Sequence, residues 1–133
     1  ASDVYKRQVT TAKAASNKSR RILRGLDMKH EVKNVGESVV IAFEGDVDLQ
    51  TSPKAREALL ATVGQGKPVV VDLAKVGYID SSGVASLVEA LQTAKKGGQT
   101  LALAAVSEGA LRVLKLARLD AVFAIHENVD DAV

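Results

Sequence analysis

Val69-Val70-Val71-Asp72-Leu73 is an apolar run interrupted by a single carboxylate, and it limits the possible folds more than any other stretch. A strand with one wet face alternates apolar and polar residues. A continuous run instead suits a strand covered on both faces, as in a parallel sheet carrying helices. The residues that follow have the other period. Val84, Leu87, Val88 and Leu91 recur at i, i+3, i+4 and i+7, one stripe of an amphipathic helix. Lys95-Lys96 fall in its last turn, where the helix dipole favours cations, and Gly97-Gly98 close it. Leu101 to Val106 predicts the next strand. Ser107 predicts the cap of a helix carrying Leu111, Leu114 and Ala117. Ala121 to Ile125 predicts the last strand, and 128–133 a final helical turn. Strands alternating with helices in this way take right-handed crossovers and end up parallel.

Upstream, Ser38 to Phe43 reads as a strand ended by Gly45, with a short second strand through Val47 expected to form an antiparallel pair with it. That pairing leaves Asp46 and Asp48 near an edge or turn. Ser52-Pro53 marks a helix start, serine as cap and proline at the first helical position. Ala55, Leu59, Leu60 and Val63 form its apolar face, and Gly64-Gln65-Gly66 stops it. The order β-β-α-β-α-β-α-β describes an α/β domain whose mixed sheet has an antiparallel first pair and a parallel remainder.

A chain of 133 residues suits one domain with a real core. Apolar residues make up 47% but aromatics only 3%, so that core is aliphatic. With no cysteine there are neither disulfides nor thiolate metal sites, which fits a reducing cytoplasm. No apolar run reaches the roughly 18 residues of a membrane span, so no membrane insertion is expected. The net charge of +2 hides two unlike parts: residues 1–27 carry a net +5, and residues 28–133 a net −3. The basic segment holds one aromatic, Tyr5, and no sustained apolar stripe, which argues against direct nucleic-acid or membrane binding. Met28 is the only methionine. Residues 1–27 are read as upstream sequence outside the native protein or as a disordered basic arm, and 28–133 as the domain.

Asp80-Ser81-Ser82-Gly83 lies between the strand pattern of Val69–Leu73 and the helix pattern opening at Val84. Two hydroxyls and a carboxylate therefore sit at a helix N-terminus, where unpartnered N–H groups suit a capping oxygen or a phosphate. Serine or aspartate before a helix is usually only an N-cap. The context is more specific: with Gly45-Asp46-Val47-Asp48 upstream, the chain from about Gly36 onward resembles the STAS domain of bacterial anti-sigma factor antagonists. The resemblance implies a mixed sheet with helices largely on one face. It also implies that Ser81 is a phosphorylation switch, with Asp46, Asp48, Asp80, Ser82 and Gly83 forming the surface gripped by an anti-sigma factor serine kinase. Such a protein, a monomer or weak dimer in the cytoplasm, captures the kinase when unphosphorylated and so frees a sigma factor. The alternative is a non-switching accessory subunit of a lipid-transport or other multiprotein assembly. Retention of Ser81 with Asp48 upstream favours the antagonist.

No catalytic role is expected. Ser81 has no activating base in the sequence, and Ser-based hydrolysis requires G-x-S-x-G with Asp and His. His30 and His126 lie in unrelated contexts and are expected in solvent, and two histidines without cysteine make no metal site. Gly64-Gln65-Gly66-Lys67 faintly echoes a phosphate loop, but Pro68 stands where Ser or Thr is required, and a strand follows instead of a helix. It reads as a turn. The expected protein is a kinase substrate with no cofactor and no metal.

Overall fold

The computed structural model describes residues 28–133. The segment 1–27, with its reading as an arm or as non-native sequence, lies outside those residues. Among the described residues, strands β1 (Lys29–Val35), β2 (Ser38–Glu44), β3 (Val69–Lys75), β4 (Leu101–Ala104) and β5 (Ala124–His126) lie side by side in chain order. β1 and β2 are antiparallel, and each later pair is parallel. Helices α1 (Ser52–Val63), α2 (Ser81–Lys96) and α3 (Glu108–Leu116) make the crossovers, and the short α4 (Val129–Ala132) ends the chain.

The sheet is covered unequally. Val39, Ile41 and Phe43 of β2 alternate onto the same face as Val69, Val71 and Leu73 of β3. There they form one core with Ala55 and Leu59 of α1, Leu87 and Leu91 of α2, and Leu114 of α3. Burying a Val, Leu or Ile side chain contributes about 1.5–3 kcal/mol, so an aliphatic core needs no aromatic cluster to hold three helices. On the opposite face Val40, Val70 and Ala104 meet Val129 and Ala132 of α4. The apolar run in β3 is thus covered twice at Val70. Asp72, half-buried, lies beyond that second cover and accepts the N–H of Ala74 at 3.0 Å.

The antiparallel pair is present, but between different strands from those the sequence suggested. β2 pairs with β1, and Val47 forms only a lone parallel bridge to Ile79. β1 is an edge strand reading Lys-His-Glu-Val-Lys-Asn-Val, with little to bury and hence almost no apolar alternation. Its lysines also discourage pairing with another chain. It forms because a two-residue turn, with Gly36 at φ +63, folds it back on the free edge of β2.

Element ends move as well. The N-cap of α1 is Thr51, and α2 opens at Ser81, three residues before its apolar stripe. β4 stops at Ala104 because Ala105 has φ 52, which breaks an extended chain. A 3-10 turn over Leu119–Ala121 delays β5 to Ala124, and Ala117 is exposed rather than on the buried face of its helix.

His30 is half-buried, not free in solvent; its ring lies 6.2 Å from that of Phe43. His126 is half-buried in β5. Burial first, and the charge of Lys54 second, hold the His30 pKa below 6.5. Above pH 6.5 the imidazole is neutral in both folded and unfolded chains and stability is unaffected. Below it the unfolded chain takes up a proton that the folded chain resists, so stability falls as pH drops from 6.5 through the lowered folded value. Thermal melts across that range should show the loss, and His30→Gln should flatten it. An unaltered profile in the variant would remove His30 as the cause.

Candidate functional site

Three loops leave the C-terminal ends of the parallel strands β2, β3 and β4: residues 45–51, 76–80 and 105–107. In open α/β sheets this is the end at which ligands and partners bind. Backbone hydrogen bonds join the first two loops. Val47 N–H donates to the Tyr78 carbonyl at 2.9 Å, and Asp80 N–H donates to the Val47 carbonyl at 3.1 Å. The third is fastened by the Ser107 hydroxyl, which donates to the Val76 carbonyl while accepting the Ala110 N–H as the cap of α3. A Cβ on Gly109 would lie 2.6 Å from the Gly77 carbonyl oxygen, so only glycine admits this approach.

Asp48 organises the first loop. Its Oδ1 accepts the N–H groups of Gln50 at 3.0 Å and Thr51 at 3.1 Å. The buried Thr51 hydroxyl takes the Asp48 N–H at 2.9 Å and donates to the Asp46 carbonyl at the same distance. Asp48 is therefore more than a turn charge: its acceptor oxygen shapes the entry to α1. The part played by Thr51 was not foreseen, because Ser52-Pro53 drew the cap one residue too far along. Threonine directly before that pair was the available signal.

Asp80 caps α2. Its Oδ1 accepts the Ser82 N–H at 2.9 Å, the Gly83 N–H at 3.1 Å and the Ser82 hydroxyl at 2.6 Å. Partial burial works to raise its pKa. The hydrogen bonds from the Ser82 hydroxyl and from the backbone N–H groups of Gly83, Ser82 and Leu49 outweigh this and hold the carboxyl below its ordinary range. The Asp80 N–H, donating to the Val47 carbonyl at 3.1 Å, is the link back to the first loop.

The two serines are thereby made unlike. Ser82 is half-buried with its proton given to Asp80. Ser81 is exposed at the first helical position, and among the described residues nothing holds its hydroxyl. Gly83, expected on the partner surface, is instead buried. A Cβ there would lie 2.6 Å from Ile79 Cγ1, 2.8 Å from Val47 Cγ1 and 2.8 Å from the Val47 carbonyl oxygen. Its part is to let α2 approach the Val47–Ile79 bridge. Asp46 is exposed and Asp48 and Asp80 half-buried, all at one end of the sheet with Ser81. Among the described residues, no group of three or more His, Cys, Asp or Glu side chains is placed to hold a metal ion, and no helix is long and apolar enough to cross a membrane.

A mixed five-strand sheet in this order, with a capped serine pair at the start of its second helix, defines a class. The STAS domain family model matches residues 29–132, and the chain belongs to that family. The matched region starts at β1, earlier than the resemblance in the sequence suggested. The anti-sigma-B factor antagonist of Bacillus subtilis (strain 168) is 26% identical over 108 residues, 81% of this chain and 99% of that protein. A solved anti-sigma factor antagonist from Mycobacterium paratuberculosis superposes with TM-score 0.73 at 25% identity, covering 80% of this chain and 91% of that one. SpoIIAA, an anti-sigma factor antagonist solved in its unphosphorylated form, shares the fold with TM-score 0.66 at 17% identity, covering 78% and 92% of the two chains. Its phosphorylated form, described as a Bacillus cell fate determinant, gives 0.61 at 19%, covering 78% and 96%.

Proposed function

We propose that the protein is an anti-sigma factor antagonist that binds an anti-sigma factor serine kinase when unphosphorylated and is switched off by phosphorylation at Ser81. The observation that carries this reading is the asymmetry of the serine pair. Phosphoryl transfer needs a hydroxyl that can enter a kinase active site in line with the γ-phosphate. Ser81 is exposed and unheld, while Ser82 is tied to Asp80. The names of the relatives support the antagonist role, and the phosphorylated form of SpoIIAA supports modification as the means of control. The protein acts as substrate: the kinase supplies ATP, Mg²⁺ and the catalytic base. Asp46, Asp48, Asp80 and Ser82 form or support the gripped surface.

The direct test is intact-mass and fragment-mass spectrometry after incubation with the kinase and ATP. One phosphoryl group at Ser81 is expected. Modification at Ser82, or stable binding with no modification, would overturn the assignment and favour an accessory-subunit role.

Asp48 gives a second test, provided its two parts are separated. Asp48→Asn keeps the acceptor oxygen for Gln50 and Thr51 but removes the charge, so the thermal midpoint should hold while affinity for the kinase falls severalfold. Asp48→Ala removes the acceptor too and should also cost about 0.5–1.5 kcal/mol of stability. Calorimetric binding that is unchanged in Asp48→Asn would take this carboxylate off the interface.

A further inference from the structure

We infer that Leu49 and Tyr78 are the apolar anchors of the partner surface, and that they enter an apolar pocket rimmed by Lys or Arg on the kinase. This rests on the reading of the Ser81 end as a kinase-binding surface, and it names the chemistry of that contact. Leu49 is 75% exposed and Tyr78 51% exposed, on the two loops that the Val47–Ile79 bridge holds side by side. Each stands near Ser81 along the chain and its backbone bonds: Asp80 N–H donates to the Val47 carbonyl, two residues before Leu49, and Tyr78 is two residues before Asp80.

Neither exposure is explained by a loose loop. The Asp48 and Thr51 hydrogen bonds fix the turn that presents Leu49, and the Tyr78 carbonyl is held by Val47 N–H. A rigid turn loses little entropy on binding, so apolar area displayed on it converts to affinity efficiently. Tyrosine is moreover among the residues most often found as binding hot spots.

Charge selects the rim. The three loops, 45–51, 76–80 and 105–107, contain Asp46, Asp48 and Asp80 and no Lys or Arg, with Lys75 and Lys54 on the elements that flank them. A surface of that sign repels nucleic acid and anionic bilayers and complements a cationic protein surface. Along the chain Leu49 directly follows Asp48 and Tyr78 lies two residues before Asp80, so the apolar side chains are interleaved with the acidic ones, as an apolar centre with a charged rim requires.

The test uses the purified anti-sigma kinase as probe and calorimetry as readout. Leu49→Ala and Tyr78→Ala should each weaken binding at least tenfold with little change in thermal midpoint, because both side chains are exposed. Leu49→Lys should weaken it further by adding a cation against the cationic rim. Leu116→Ala should bind as the parent does: Leu116 is 80% exposed too, but it lies at the far end of α3 from these loops. Rising NaCl should weaken the parent complex. If both alanine variants bind within twofold of the parent, the anchors are wrong. If affinity ignores salt, the cationic rim is wrong. A kinase that fails to bind the parent protein at all overturns the proposed function itself, which sets that failure apart from the other two.

Discussion

Gly83→Ala is expected to lower the thermal midpoint by on the order of 10 °C, although it adds one methyl group to a helix and alanine is the better helix former. Helix propensity alone would favour the alanine by about 1 kcal/mol. The space argues the other way. The new carbon would lie 2.6 Å from Ile79 Cγ1 and 2.8 Å from both Val47 Cγ1 and the Val47 carbonyl oxygen. That oxygen already accepts the Asp80 N–H at 3.1 Å and belongs to the bridge joining the loops, so it cannot retreat without breaking the bridge. Overpacking of this kind costs typically about 1–3 kcal/mol, and more where backbone must move. For a domain of this size each kcal/mol shifts the midpoint by roughly 4–8 °C. The variant should also lose affinity for the kinase, since the moved segment carries Asp80 and Ser81. An unchanged midpoint would mean that α2 can slide away from Val47, and that the close approach is not structural.

Phosphorylation of Ser81 should weaken kinase binding by at least an order of magnitude, about 1.4 kcal/mol or more, and leave the fold standing. The modification adds about −1.5 to −2 charges at pH 7. A helix N-terminus ordinarily favours an anion by about 0.3–1 kcal/mol. Here Asp80 already takes the N–H groups of Ser82 and Gly83, so the phosphate meets a carboxylate where it would otherwise meet donors. No Lys or Arg in the surrounding loops offsets the added charge. The phosphate is therefore expected to project from the protein, and on the proposed function it would set bulk and like charge against the kinase nucleotide. Ser81→Asp should reproduce part of the loss, because it carries less charge on a shorter side chain. Ser81→Ala should bind and never be released by ATP. Calorimetry on the phosphorylated protein decides the matter: affinity equal to that of the unmodified chain would end the switch reading, even with Ser81 modified.

The interior of this fold was legible in the sequence because its signals are local and repeated. Val69 to Leu73 must be apolar on both sides to be covered on both sides, and Val84, Leu87, Val88 and Leu91 must recur at the helical period to reach the sheet. The mixed topology followed from their alternation. β1 was not legible, since an edge strand buries little and needs no apolar pattern; the open edge of β2 and a glycine turn decide its pairing. The site divides along the same line. Asp80-Ser81-Ser82-Gly83 announces a capped helix start by its residue types, and the order of elements places it at the binding end of a sheet. Which serine is free rests on a bond between Ser82 and Asp80, two residues apart, that residue types alone do not choose over Ser81. Leu49 is presented by the Asp48 turn, and why Gly83 must lack a side chain depends on Val47, far away in the chain. The Val47–Ile79 bridge brings Val47 within a few ångströms of Gly83. Residue types and periods report what each segment can bury and bond, whereas commitment of a hydroxyl or exposure of a leucine depends on its neighbours in space, and folding alone supplies those neighbours.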